Sequence, residues 1–336
     1  MKFGVGLPTC TAGLMYPTPF ANPTDIVRIA VEVEQLGYYD IAGNDHFSTP
    51  TYVRSEWSTP PDFFDPLITY GYCAAQTSTL KLMTGILVMP MRHPVVLAKQ
   101  VATLDQFSQG RVILGLGIGA YREEFIACYP SMAALARSEL LEESAEVLRG
   151  LFEQRRFTFT GKHYAVEDVE MYPKPVQVPL PIYFAGNAHA SIRRAAESGQ
   201  GWLPAGIGAA AIAAGRTELT RIAEFHGRDP NSIAVAAQVV VALGTTHEQA
   251  LNTFETSQMY RHLVSLSGST LRGADMKKLA ETNLVGTPDE ICERVSRFAA
   301  AGVTHLCGLL FVGDTVDAML SGVREFARTV LPAFAE

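Results

Sequence analysis

Two polar residues that can do chemistry, Asp45 and His46, lie just past a predicted strand at Tyr38–Ala42, after Gly43-Asn44. A histidine at the end of a strand can hydrogen-bond a ring or a substrate, or move a proton near neutral pH. The competing interpretation is a capping aspartate beside a packed histidine. Because functional side chains concentrate where strands run into loops, we favour the functional interpretation. His93, which follows Pro90, is a weaker candidate of the same kind.

A glycine-rich turn ends a second apolar segment, Arg111–Ile118. Gly115–Ala120 fits the loose dinucleotide pattern G-x-G-x-x-A. About three strand–helix units precede it, however, and Glu123 and Glu124 stand where a pyrophosphate would need backbone N–H groups. We therefore interpret the segment as a strand whose glycine-rich end, Gly117 included, leaves room for a flat ring.

A third candidate, Gly186-Asn187-Ala188, lies between a predicted strand and a predicted helix. The first N–H groups of a helix have no partner within it and can hold a phosphate. An ordinary strand–helix turn is about as probable on the sequence alone.

The segment Ser48–Pro66 combines several prolines with four aromatic side chains and predicts a structured loop. It is either a lid over the substrate or a packed surface loop. The aromatic residues are Tyr52, Trp57, Phe63 and Phe64.

Composition and missing motifs exclude several classes of protein. Asp and Glu outnumber Lys and Arg by 34 to 27, which argues against nucleic acid or an anionic membrane as a partner. Five widely spaced cysteines predict reduced thiols in a cytoplasm, and no apolar run can span a bilayer. The chain lacks the usual zinc-protease, serine-hydrolase and P-loop motifs, so we expect no metal site.

The apolar segments that must position these residues alternate with helical patterns. Eight predicted strands, nearly all followed by helices, indicate a (β/α)8 TIM barrel with insertions, formed by residues 1–336 as a single domain. A doubly wound sheet is the alternative fold. The predicted strands are Lys2–Leu7, Tyr38–Ala42, Lys81–Met89, Arg111–Ile118, Ile182–Ala185, Gly201–Pro204, Ile233–Leu243 and Thr304–Phe311.

The central stretch resembles a known family. TGILVMPMRHPVVLAKQVATLDQFSQGRVILGLGIGAYREEF is similar to the core signature of the bacterial luciferase-like monooxygenase superfamily. The likeness extends to FGVGLP at the start, GYYDIAGNDHF, the segment PIYFAGNAHASIRRAAESGQGWLP, and VGTPDEICERVSRFAAAGVTHL near the end. So many matching segments in one order are more specific than any single motif in the chain.

This resemblance implies a TIM barrel that binds coenzyme F420 or FMN at the carboxyl ends of its strands. It implies a cis peptide at Gly85-Ile86 behind the ring, phosphate binding at Gly186-Asn187, and Asp45-His46 beside the ring. The luciferases carry two successive histidines where this chain has Asp45-His46, so light emission is not expected. It also implies a homodimer.

The resemblance favours an F420-dependent oxidoreductase over an FMN-dependent monooxygenase, which would need a separate flavin reductase. Sugar-phosphate dehydrogenases of the F420 branch have a glutamate at the position of Ala120 and lysines near 206–208, and this chain has neither. A sugar phosphate is therefore doubtful as substrate. The aromatic loop instead favours an apolar or aromatic small molecule. Two further classes stay open: a flavin-binding protein without turnover, and an unrelated TIM-barrel lyase or hydrolase.

Overall fold

Thirteen strands are present in the computed structural model, which describes residues 1–334. The interior strands are buried along their whole length: this holds for every residue of Val112–Gly117 and of His305–Phe311. Strands covered on both faces belong to parallel sheets. The strands are β1 (Lys2–Leu7), β2 (Asp40–Gly43), β3 (Lys81–Thr84), β4 (Leu87–Val88), β5 (Val112–Gly117), β6 (Phe157–Thr160), β7 (Ala165–Val169), β8 (Ile182–Ala185), β9 (Gly201–Leu203), β10 (Ala234–Ala237), β11 (Val240–Leu243), β12 (Leu284–Gly286) and β13 (His305–Phe311).

The sheet closes on itself, because β1 pairs in parallel with both β2 and β13. β3 with β4, and β10 with β11, each act as one interrupted strand. The barrel therefore has eight strand positions, here called staves, as predicted. The doubly wound alternative is wrong, since an open sheet would leave β1 or β13 with a free edge. β12 adds an outer parallel partner to β11, and the sequence did not predict it.

Helices cover the outside of the barrel with their apolar faces inward. Several begin at side-chain caps, as at Asn22 with Asp25 and at Thr287 with Glu290, where each pair forms a capping box. The helices are α1 (Pro23–Gln35), α2 (Thr51–Glu56), α3 (Pro66–Gln76), α4 (Pro94–Phe107), α5 (Arg122–Cys128), α6 (Arg137–Glu153), α7 (His189–Ser198), α8 (Ala209–Phe225), α9 (His247–Thr256), α10 (Gln258–Ser265), α11 (Leu279–Thr282), α12 (Pro288–Ala300) and α13 (Val316–Thr329).

One segment expected to be irregular, residues 158–181, contains an antiparallel hairpin formed by β6 and β7. Its alternating residues Phe157 and Phe159 pack as stacked rings, and Phe157 lies against the Cα of Gly150 on α6. The carboxylate of Glu143 accepts backbone N–H groups from the turn. The prolines that suggested a loop all lie after the hairpin.

The third stave is interrupted where it meets β5. The β3–β5 ladder ends at Met83 opposite Ile113 and resumes at Leu87 opposite Leu116, so one extra residue bulges out. The peptide bond between Gly85 and Ile86 in this bulge is cis, at the position the family resemblance implied.

Gly115 is expected to tolerate no side chain at this bulge. A Cβ there would lie 2.0 Å from the carbonyl oxygen of Thr84, so Gly115→Ala should lower the free energy of unfolding by about 1–3 kcal/mol through overpacking. Gly71→Ala, in α3 with nothing within 4 Å of the new Cβ, should instead raise it by about 0.5–1 kcal/mol. Urea unfolding of both variants measures this, and equal effects would contradict it.

Candidate active site

A cavity of about 870 Å³, its open mouth included, lies at the carboxyl ends of the barrel strands. In α/β barrels this end carries the active site. Several of the residues predicted from sequence line it: Asp45, His46, Gly85, Ile86, Gly117 and Gly186. Asn187 and Ala188 lie just beyond its wall.

His46 enters the cavity from the segment after β2 and is held from behind by α5. Its Nδ1 lies 2.9 Å from Oε2 of Glu124, and the backbone N–H groups of Phe47 and Ser48 donate to Oε1 of the same carboxylate. With Nδ1 engaged, Nε2 is the nitrogen of His46 left for a ligand. Glu124 therefore fixes both the ring of His46 and the backbone that carries it.

The ionisation of Glu124 reflects this arrangement. Burial alone would raise the pKa of Glu124, but the hydrogen bonds and the charge of His46, with the two backbone N–H groups, lower it below its ordinary value. The carboxylate, which α5 carries, is thus charged at neutral pH.

Asp45 is also placed at the cavity wall, but its carboxylate is already occupied. Its Oδ1 accepts from Nη2 of Arg92 at 2.7 Å, and its Oδ2 accepts from Nε of Arg92 and from the N–H of Val88, each at 3.0 Å. Arg92 also binds Asp65 at 2.8 Å. This geometry favours a positioning role for Asp45, and direct acid–base work by it stays a prediction.

One wall of the cavity is formed by two glycines and by Ile86, whose side chain covers Gly117. At Gly117 a Cβ would lie 2.9 Å from Cδ1 of Ile86, and at Gly85 it would lie 3.2 Å from Cβ of Ala42. The absence of side chains at these positions lets β5 and the bulge of the third stave lie close together. The resulting wall, formed by Gly85, Ile86 and Gly117, can face a flat ring.

The start of α7 lies next to this wall. Gly186 has a φ of +123°, which favours glycine, and Ala188 precedes the helix. The side chain of Asn187 does not face the cavity: it donates to the carbonyls of Ala205 and Thr270 and accepts from the N–H of Ala205. Among the described residues, no acceptor binds the N–H groups of residues 187–190, so these groups are free to hold an anion.

The aromatic loop forms part of the cavity mouth. The hydroxyl of Tyr52 bonds Nδ1 of His262 at 3.0 Å, which joins α2 to α10 across the opening. Phe63 packs on the ring of His46, with the ring centroids 5.4 Å apart. Trp57 donates to the carbonyl of Gly13. The loop is therefore attached to the rest of the protein at several points.

Sequence reasoning missed four side chains of this site: Arg92, Glu124, Gln238 and His262. Gln238 interrupts the seventh stave between β10 and β11 and lines the cavity floor. Of these four, only His262 could have been found from the sequence. It shares an apolar face of α10 with Met259 and Leu263, and a buried histidine on such a face needs a hydrogen-bond partner.

No group of His, Cys, Asp and Glu in residues 1–334 has the geometry of a metal site. Within the same range, no helix has the length and hydropathy needed to cross a bilayer.

Comparison with known proteins gives a family match and relatives with two different cofactors. Residues 1–305 match the family model for luciferase-like monooxygenases. The chain is 26% identical to an F420-dependent glucose-6-phosphate dehydrogenase of Segniliparus rotundus over 85% of this chain and 87% of that protein. It is 29% identical to an FMNH2-dependent dimethylsulfone monooxygenase of Pseudomonas putida over 78% of this chain and 76% of that one.

Two solved structures share the fold over at least 99% of each chain. One is the monooxygenase RslO1 from Streptomyces bottropensis, with a TM-score of 0.80 and 22% identity. The other is an F420-dependent secondary alcohol dehydrogenase in complex with an F420-acetone adduct, with a TM-score of 0.79 and 19% identity. At these identities the likeness establishes the TIM-barrel fold and nothing finer.

Glu124→Gln should destabilise the protein and change its response to acid. The lowered pKa of Glu124 in the folded state means that its stabilising effect is present above the ordinary glutamate range and is lost as the pH falls through the folded-state value. We expect a loss of about 1–3 kcal/mol at pH 7 in urea unfolding and a shallower decline between pH 5 and pH 3 than in the wild type. Parallel pH profiles of the two proteins would contradict this.

Proposed function

Because the chain belongs to the luciferase-like monooxygenase family and is thereby an oxidoreductase, we propose that it transfers a hydride between coenzyme F420 and an apolar or aromatic organic substrate. The observation that carries the proposal is the cavity itself. Its wall of Gly85, Ile86 and Gly117 is accompanied in the lining by Gly186, the residue that leads into the free N–H groups at the start of α7.

The residues present fit such a coenzyme. Its flat ring would lie against Gly85, Ile86 and Gly117, and its phosphate would bind the N–H groups of residues 187–190. Bound F420 would supply the hydride chemistry. The protein's part is to orient the ring, to exclude water, and to place Nε2 of His46 where it can hold or move a proton.

An FMN-dependent monooxygenase is the second candidate. The resemblance to the FMNH2-dependent dimethylsulfone monooxygenase favours it, at an identity slightly above that of the F420-dependent relatives. The same wall and the same N–H groups would hold FMN. This chain would then depend on a separate flavin reductase, whereas F420 chemistry needs neither that partner nor oxygen. A flavin-binding protein without turnover is the third candidate. It is the least favoured of the three, because the family consists of oxidoreductases.

The charge of the site argues against a sugar phosphate as substrate. No lysine or arginine is among the described residues that line the cavity, and Ala120 and Gly206 carry no side chain that could bind a phosphate. The glucose-6-phosphate activity of the F420-dependent relatives is therefore not transferred to this chain. An uncharged small molecule fits the lining better.

We also propose that residues 1–336 act as one domain in the cytoplasm, as a homodimer, without nucleic-acid or membrane partners. All five cysteines are free thiols, which supports a reducing compartment. Ile68 and Tyr72 on α3 are 73% and 63% exposed, and with Ile26 and Val27 of α1 they line a surface groove. Apolar surface of this kind fits a second copy of the chain.

Fluorescence titration with F420 and FMN, each oxidised and reduced, tests the cofactor. We expect binding of F420 to be at least tenfold tighter than binding of FMN. A preference for reduced FMN would instead establish the monooxygenase alternative, with oxygen uptake as the next assay. Binding of neither cofactor would refute the proposed function.

Ile68→Glu combined with Tyr72→Glu should convert the dimer into a monomer, because a charge on each side chain would have to lose its water at the interface. Light scattering on a gel-filtration column gives the mass in solution. Phe225→Glu, at an equally exposed phenylalanine on α8, is the matched control and should stay dimeric. A monomeric wild type would contradict the proposal.

A further inference from the structure

The cavity has a second lobe behind His262. It measures about 360 Å³, its opening included, and shares Met15, Gln238 and His262 with the main cavity. The part that belongs to this lobe alone is largely aliphatic, with Val240, Leu263, Leu271 and Leu310 in its wall. The lobe therefore extends the cofactor cavity into the space between β11 and α10.

The amide of Asn283 is the exception in this apolar wall, but it is already satisfied. Its Oδ1 accepts from the N–H of Val240 at 2.8 Å, and its Nδ2 donates to the carbonyl of Leu279 at 2.7 Å. No Lys, Arg, Asp or Glu is among the described residues that line the lobe. An ionised ligand would lose its water there without gaining a partner of opposite charge.

His262 stands at the junction of the two lobes and is 4% exposed. Burial, together with the nearby His46, lowers the pKa of His262 to about 3, so the ring is neutral at physiological pH. Its single proton lies on whichever ring nitrogen does not accept a hydrogen bond. The hydroxyl of Tyr52 lies 3.0 Å from Nδ1 of His262 and can either donate to it or accept from it.

When the hydroxyl of Tyr52 donates to Nδ1, the proton of the neutral ring resides on Nε2. Among the described residues, no acceptor binds this nitrogen, although the ring lines both lobes. A ligand in the cavity can therefore supply the acceptor for this N–H. His262 therefore presents one neutral donor at the entrance of an apolar space.

We propose that this second lobe is the substrate subsite, and that it takes an apolar molecule with a single neutral oxygen, such as a ketone or an alcohol, held by the N–H of His262. That the bound molecule reacts rests on the proposed function, whereas its binding in the lobe does not. The aliphatic walls take the carbon chain or ring. The oxygen then lies at the junction, next to the main cavity where the cofactor ring would lie.

The test compares two probes of equal chain length, 2-heptanone and heptanoate, by ligand-observed NMR titration of the full chain with and without cofactor. We expect the ketone to bind at least tenfold more tightly than the carboxylate, because the lobe offers a donor but no cation. Equal affinities, or tighter binding of heptanoate, would overturn the proposal.

The location of the subsite is tested by filling it. Leu263→Phe should weaken binding of 2-heptanone at least tenfold and leave cofactor binding intact. Val264→Phe is the matched control, because Val264 follows Leu263 on α10 but is 39% exposed and does not line the lobe. This variant should bind the ketone as the wild type does. If Leu263→Phe fails to fold, Leu271→Phe fills the same lobe. Unchanged ketone affinity in a folded filling variant would refute the location.

The role of His262 is tested by His262→Leu, which should weaken ketone binding about three- to tenfold, the range expected for one neutral hydrogen bond. Tyr52→Phe, which frees the tautomer without removing the ring, should weaken it less. Unchanged affinity in both variants would refute the role. Failure of the lobe and failure of the proposed function are distinct: the first leaves F420 or FMN binding intact, and the second does not.

Discussion

The site depends on the close approach of two backbone segments, Thr84–Ile86 and Gly115–Gly117. Where the third stave departs from the ladder, the hydroxyl of Thr84 replaces the missing backbone partner: it accepts from the N–H of Gly115 and donates to its carbonyl, both at 2.8 Å. Glycines at 115 and 117 make this approach possible, since a Cβ at either would collide with the opposite segment. The bulge and the wall of Gly85, Ile86 and Gly117 are thus consequences of one packing constraint.

Two buried carboxylates then fix the segment after β2 in place. Glu124 holds the backbone of Phe47 and Ser48 from one side, and Arg92 holds Asp45 from the other. Both Asp45 and Glu124 are almost fully buried, so each charge is compensated by bonds within the protein rather than by water. His46 is consequently positioned by charges that belong to the scaffold, and the cavity that it enters is otherwise nearly neutral.

Much of the fold could be predicted because its strands are continuous apolar runs, and eight of them in alternation with helices admit few architectures. Asp45 and His46 were placed at the cavity by the rule that strand ends carry function. Glu124 and Arg92 could not be identified in the same way, since Glu124 is 78 residues from His46 in sequence, Arg92 is 47 from Asp45, and each pairing exists only once the barrel closes. The β6–β7 hairpin was missed because its short strands are half-exposed and a proline-rich segment follows them.

The distribution of charge separates two tasks within one cavity. Free backbone N–H groups at the start of α7 favour an anion at one end, whereas the space behind His262 offers only a neutral donor and aliphatic side chains. A ligand with a flat ring and a phosphate satisfies the first environment and cannot satisfy the second. Because the two spaces share a boundary at Gln238 and His262, an uncharged molecule in the second lobe would lie beside the ring of a bound cofactor. That arrangement is the one that hydride transfer between two bound molecules requires, since transfer needs the reacting atoms held in contact and away from water.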